Sequence, residues 1–437
     1  MSLFGAMNTA ITGLGAQSAA FGNISDNIAN SQTTGYKGVE TTFVDYLTES
    51  SATTNSPGAV VTRPDYTNSV QGTLAQSSNP MAMAITGQGF FPVSQLASAA
   101  GATPTFSPIP NYTRAGDFSL NQSGFLVNGS GEYLNGWTVD PTTGAVNRNA
   151  INPIQVTQMV DRPVATSSVT LSANLPATPT AGAGPVTSQV NIYDSLGTAH
   201  TVELNWTQTA SNTWTVGLNV PDDINAAAVG TAQVQFGPVA SGNPVPDGTI
   251  GSIGSATGTV TGTAYATGKP ASLSFVTDFG NGPQTISLDL GVYGQSTGLT
   301  QYAGSTYSLH GLTQNGVPPG SFSSVSTTSN GGVVVNYDNG QSRTIAQVPI
   351  VVFNNPDALQ RQNGQSYTAT AASGTPLAND AGTSGAGGIV TGSIEQSNVD
   401  IATEFTRLIV AQRAYSANAK MITTADDMLQ QTLDMKR

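Results

Sequence analysis

Apolar residues recur at helical spacing in two stretches, one at each end of the chain. Near the start, Leu3, Met7, Ala10, Leu14, Phe21, Ile24 and Ile28 alternate at three and four residues, interrupted only by Gln17. Phe4 and Ile11 widen this stripe, while Asn8, Thr12, Ser18, Ser25 and Asp26 occupy other faces. The spacing predicts a helix over 3–28, on the order of 40 Å long. Gly5, Gly13, Gly15 and Gly22 lie within it, each costing about 1 kcal/mol relative to alanine. Such a helix is unstable alone and needs a partner. At the other end Ile401, Leu408, Tyr415, Ile422 and Leu429 hold one heptad position, and Phe405, Gln412, Ala419, Asp426 and Leu433 hold the other. Ser397 or Asn398 is placed to cap this second helix, with Asp400 and Glu404 near its positive end and Lys436 and Arg437 at its negative end. The two stripes fit either packing against neighbouring copies or a single intramolecular coiled coil.

Between the ends the period changes to two. Val190 and Ile192 precede the turn 194–197, Val202, Leu204 and Trp206 follow it, and Trp214, Val216 and Leu218 complete a three-strand meander. Phe118 to Leu120 and Phe125 to Val127 flank the turn 121–124, and Val333, Val335 and Tyr337 lead into Asn339-Gly340, a hairpin signal. The fold class is mainly β, with antiparallel sandwich-like or barrel-like domains and terminal α-helices that pair as a coiled-coil-like axial domain. The expected organisation is a helical axial domain from 1–30 plus 398–437 and extended connecting segments at 31–75 plus 373–397. An inner β domain is expected at 76–165 plus 305–372, with an outer β domain inserted at 166–304. Residues 226–270, rich in Gly, Ala, Thr and Ser, fit no template well.

Composition narrows the function. Only 9% of residues are charged, against 38% hydrophobic, and there is no cysteine, so neither disulfides nor thiol chemistry operate. Residues 1–37 carry Asp26 and Lys37, residues 400–437 carry five acids and five bases, and the stretch between holds the other 19 acids and 7 bases. The middle therefore repels polyanions, and nothing suggests a nucleic-acid partner. No window approaches eighteen apolar residues, and no Sec-type leader opens the chain, so neither membrane insertion nor a cleaved signal peptide is expected. Chemistry has little to build on. His200 and His310 are far apart, and His200 falls on the strand face of Val202, Leu204 and Trp206, which suits a partly buried sheet position. Asp222-Asp223 after Pro221 reads as a turn or cap. No catalytic residue, cofactor or metal site is expected, and the chain reads as a non-enzyme.

The segment Asn27-Ile28-Ala29-Asn30-Ser31-Gln32-Thr33-Thr34-Gly35-Tyr36-Lys37 resembles the signature that ends the first helix in the flagellar rod and hook axial protein family. Ser397-Asn398-Val399-Asp400, then Gln412-Arg413-Ala414-Tyr415-Ser416-Ala417-Asn418, resemble its C-terminal counterpart. Tyr112-Thr113-Arg114-Ala115-Gly116-Asp117-Phe118, Ser296 to Gln301 and Asn354 to Gln360 are similar to hook members in particular. The likeness covers most of 1–165 and 285–437, more loosely 185–220, and no family pattern is visible at 221–284. Membership implies a structural subunit that polymerises with itself into a curved, flexible tube transmitting torque from a motor to a filament. It implies subunit packing through Leu3, Met7, Leu14, Phe21, Ile24, Ile28, Ile401, Phe405, Leu408, Tyr415, Ile422, Leu429 and Leu433. It further implies export through the flagellar type III apparatus, a hook cap during growth, rod and hook-filament junction proteins as partners, and an extracellular location. A distal rod subunit and a secreted β-rich adhesin are the alternatives.

Overall fold

The computed structural model describes residues 3–50, 55–98, 104–140, 143–156, 161–179, 184–239 and 244–435. Helix α1 spans Leu3–Ala29 and helix α2 spans Ile401–Asp434; nearly all other regular structure is β. The chain forms two compact units. One comprises residues 1–158, 323–336 and 342–437, the other 159–322 and 337–341.

In the first unit α1 and α2 pack antiparallel, with Phe21 edge-on to Tyr415 at 6.4 Å and Gly13 against Asn418. A Cβ at position 13 would lie 2.8 Å from Asn418 Nδ2, so a side chain there would displace the Asn418 amide. Ala10, Ala16, Ala20 and Ile24 are the apolar residues buried along α1. A second partner covers another side of α1: the hairpin of β1 (Val39–Ser50) and β2 (Asn55–Tyr66). It follows the helix along its length. Asn8 Nδ2 donates to Gly58 O, Thr12 Oγ1 accepts from Val60 N, Asn23 Nδ2 donates to Thr41 Oγ1, and Asn27 exchanges two hydrogen bonds with the Val39 backbone. The segment expected to be merely connecting is thus a helix-length ribbon that offsets the glycine burden of α1.

The rest of this unit is a sheet ordered Phe322–Thr327, Gly332–Tyr337, Ser342–Gln347, Tyr133–Val139, Phe91–Ser94, Asn111–Thr113, Ser366–Thr368, Gln360–Arg361. Phe90, Tyr112, Val351, Phe353, Leu359 and Tyr367 form an aromatic-rich core cluster within it. Met83–Thr86 pairs with Gly388–Thr391, and Leu74–Gln76 with Ser393–Glu395, so the approach to α2 is stitched to this unit by strands.

The second unit has two sheets sharing one core. The expected meander appears as Val186–Tyr193, Ala199–Ala210 and Thr213–Asn219, with Val190 opposite Val202 and Trp206 opposite Val216. Two further strands, Ala228–Phe236 and Ile250–Gly254, extend it through the stretch that fitted no template. Ala228–Phe236 alternates only from Ala232 onward, with Ala232, Val234 and Phe236 buried, and Ile250–Gly254 buries Ile250 and Gly251 in succession, so small residues and irregular pairing mask the period. In the other sheet Ser168–Asn174 pairs parallel with Pro283–Val292 and antiparallel with Ser308–Gln314. That pairing carries residues 305–322, expected with the inner domain, into the second unit.

Candidate functional site

The residues of the α1 signature close a joint. Asn27 is buried and fixes Val39, as above, while Asn30 Nδ2 donates to Asp26 and Thr33 Oγ1 donates to Asn30 Oδ1, locking the turn. Gly35 has φ +70°, and a Cβ there would stand 2.5 Å from Ala115 N; only glycine fits. The Tyr36 hydroxyl donates to Asp26 Oδ2 at 2.9 Å, and burial first, then Asp26, push its pKa up to about 12. The Arg361 guanidinium lies 5.0 Å over the Tyr36 ring and donates to Lys37 O.

Lys37 is fully buried. Its Nζ donates to Glu395 Oε1 and, at 2.6 Å, to Val70 O. Arg114 Nη1 donates to Glu395 Oε2 at 3.0 Å and its Nη2 to Gly87 O at 2.7 Å, while Gly72 N donates to Glu395 Oε1 at 2.8 Å. All three charged side chains are at most 2% exposed. Two cations share one carboxylate in a dry site; burial and the nearby Arg114 lower the Lys37 pKa, with Glu395 opposing them. Gly35 N donates to Glu395 O, and Asn398 accepts from Gly38 N and donates to Thr67. Val399 packs on Gly38. The two signatures, distant in sequence, meet here.

Capping differs from expectation. Asp400, not Ser397 or Asn398, is the N-cap of α2, accepting from Thr403 N at 2.8 Å. Ser397 Oγ accepts from Val399 N, and Asn398 is committed to the joint.

The seam between the helices also departs from the expected register. Along α2 the buried positions are Glu404, Ala411 and Ala425, with Asn418 half-buried between them. Leu408, Ile422 and Leu429 are half-buried beside this row, as are Met7, Leu14, Phe21 and Ile28 on α1. The row of Phe405, Gln412, Asp426 and Leu433 lies outside it and is exposed, as are Ile401 and Tyr415. The reason is size: alanine and glycine permit close approach, and the bulky residues of the second row cannot enter. Ala29, Gln412 and Arg413 are exposed. The Leu3 side chain, Lys436 and Arg437 lie outside the described residues.

In the second unit His200 stacks on Phe279 at 3.7 Å, with Nδ1 2.9 Å from Asp222 Oδ2 and Nε2 3.5 Å from Asp194 Oδ2. Asp223 accepts from Asn225 N, a turn as expected. Among the described residues no helix is long and apolar enough to cross a membrane. Sequence reasoning missed Glu395, Gly72 and Arg361, which no local pattern ties to Lys37.

Four family profiles match the chain. They are flagella basal body rod protein over residues 7–37, flagellar hook protein FlgE/F/G D1 domain over 84–174, flagellar basal body protein FlaE D2 domain over 165–317, and flagellar basal body rod FlgEFG protein C-terminal over 390–435. The chain is 30% identical over 441 residues to the flagellar hook protein FlgE of Brucella abortus biovar 1 (strain 9-941), covering 100% of both. It is 30% identical over 444 residues to that of Escherichia coli (strain K12), covering 99% of this chain and 100% of the relative. The solved structure of Helicobacter pylori flagellar hook protein FlgE2 aligns at 15% identity and a TM-score of 0.44, over 72% of this chain and 98% of that one. Matched from end to end at this identity, with both terminal signatures folded into one joint, the chain belongs to the flagellar hook protein family.

Proposed function

We propose that the protein is the subunit of a bacterial flagellar hook, polymerising into a curved, flexible tube that couples motor rotation to the filament. The observation that carries this reading is the set of exposed large apolar residues distributed around α2: Phe405, Ile409, Val410, Met421, Met428 and Leu433 are each at least half exposed. Large apolar residues spread along an exposed helix mark a surface that other protein covers. In this reading Met7, Leu14, Phe21, Ile24 and Ile28 hold the helix pair together, with Leu408, Ile422 and Leu429 at its edge. Ile401, Phe405, Tyr415 and Leu433 face neighbouring copies. Because α1 and α2 present different faces, contacts between copies are heterologous and propagate rather than close. The outer β units meet through uncharged polar groups, whose contacts are worth little net of water, so they exchange as the tube bends. The tube joins rod proteins at one end and hook-filament junction proteins at the other. Its subunits leave the cell through the flagellar type III apparatus, and a hook cap guides their assembly. The test is negative-stain microscopy of assembled full-length protein. Curved tubes are expected; straight ones would make it a distal rod subunit, and no polymer at all would overturn the reading.

A further inference from the structure

The cleft between α1, α2 and β1 contains a polar mismatch that one chain alone leaves open. Its volume is about 350 Å³, and its walls include Ala20, Ile24, Val39, Phe43, Val410 and Ala414. Glu404 lines this cleft and is 5% exposed. Glu404 Oε1 accepts from Arg407 Nη1 at 2.9 Å, and the other arm of Arg407 is taken by Glu40 Oε1 at 2.8 Å. Glu404 Oε2 is buried and has no donor among the described residues. A desolvated carboxylate oxygen without a donor is costly, and a cation is what relieves it.

The reverse deficiency lies on the same helix. In this unit Lys37, Arg63, Arg114, Arg148, Arg361 and Arg407 each donate to an acceptor. Arg413 and Lys420 are exposed on α2 and have no acceptor among the described residues. Arg413 cannot turn back to Glu404: nine residues place it roughly 13.5 Å along the helix and about 180° around it. The anion and the free cation therefore sit on opposite faces of one rigid element. An open-ended contact between identical copies requires that arrangement, since each copy offers one half of the pair in each direction.

We infer that in the polymer this cleft receives the far face of α2 from a neighbouring copy, and that the Glu404 carboxylate turns toward the cleft to meet the neighbour's Arg413 guanidinium. Arginine suits the position better than Lys420 because its planar fork is weakly hydrated and matches a carboxylate already held on one side by Arg407. The inference rests on the assembly reading above and names the contact that sets its register.

The test is charge reversal in full-length protein, with the critical concentration for tube growth read by sedimentation and the fold checked by circular dichroism. Arg413→Glu alters an exposed side chain, so the monomer keeps its fold; its critical concentration should rise at least about tenfold, the loss expected when one partner of a buried pair is removed. Glu404→Gln should raise it in the same direction. In a double-mutant cycle, Glu404→Gln should raise the critical concentration far less on an Arg413→Gln background than in the wild type, because the pair is already broken there. Arg413→Glu assembling like wild type, or effects of Glu404→Gln and Arg413→Gln that simply multiply, overturns the inference and leaves the helical assembly standing. Coupling of Glu404→Gln to Lys420→Gln instead of Arg413→Gln overturns the assignment to Arg413. Wild-type chains that never form tubes overturn both readings together.

Discussion

Replacing Glu395 by glutamine asks whether charge holds the joint at the end of α1. The wild-type carboxylate engages Lys37 Nζ and Gly72 N through Oε1 and Arg114 Nη1 through Oε2, with the charged groups almost wholly buried. Glutamine keeps the shape and one acceptor but leaves two buried cations without an anion. Removing one partner of a buried pair costs about 3–5 kcal/mol. At 1.4 kcal/mol per factor of ten, local opening becomes more frequent by between about a hundredfold and several thousandfold. Lys37→Met is the informative companion. It deletes the surplus cation and leaves Arg114 and Glu395 matched one to one; Glu395 Oε1 keeps the Gly72 N donor, and the donation to Val70 O is lost, a change of about 1–3 kcal/mol. Native-state hydrogen exchange followed by mass spectrometry reads both variants. Peptides covering 35–40 and 68–74 should lose protection in Glu395→Gln, less so in Lys37→Met, while 202–218 in the second unit stay unchanged. Protection at 35–40 within about tenfold of wild type in Glu395→Gln, or a larger loss in Lys37→Met, would refute the reasoning.

The joint also has a pH signature. The Lys37 pKa is lowered on folding, so the unfolded chain binds more protons just below the ordinary lysine range and stability rises with pH there; Tyr36, raised to about 12, reverses the slope above its unfolded value of 10.0. Denaturation monitored at the joint should therefore show a stability maximum near pH 10, and Lys37→Met should remove the rising limb. Gly35→Ala meets both the positive φ and the Ala115 backbone, and should cost at least about 2 kcal/mol, read as loss of exchange protection at 35–40. Ile422→Asp puts a carboxylate into the half-buried helix seam and should give chains with intact β structure by circular dichroism that build no tubes, whereas Asp427→Ala, on an exposed position, should assemble normally.

The helices were legible because a 3.6-residue period survives even four glycines, and the meander was legible because Val202, Leu204 and Trp206 alternate without interruption. What was illegible has a common physical origin in small residues. A pattern reader takes the largest apolar side chains as the core, and so places Phe405 and Leu433 in the seam. The structure instead buries Ala10, Ala16 and Ala20 on α1 and Ala411 and Ala425 on α2, and leaves Phe405 and Leu433 exposed. Hydrophobicity records that a residue ends up dry, not which neighbour keeps it dry. The same blindness hid Ala228–Phe236, whose buried Ala232 reads as neutral, and the β1–β2 ribbon, whose threonines and serines read as linker.

The joint was illegible for a different reason. Its polar and charged members come from around residues 26–37, 67–72, 114, 361 and 395–400, and local pattern carries no information about which of 25 acids reaches Lys37. The geometry then changes what the signature means. In a chain with so few charges, Lys37, Arg114 and Glu395 occupy the least hydrated positions available, and each signature residue that engages them does so within one chain. Asn27, Asn30, Gly35, Tyr36, Lys37 and Asn398 thus tie the end of α1, the start of β1 and the approach to α2 together. In the proposed assembly the contacts between copies use residues the joint does not: the exposed apolar positions of α2, Arg413 and Glu404. Substitutions in the first group should damage the monomer and the tube alike, and substitutions in the second should damage the tube alone.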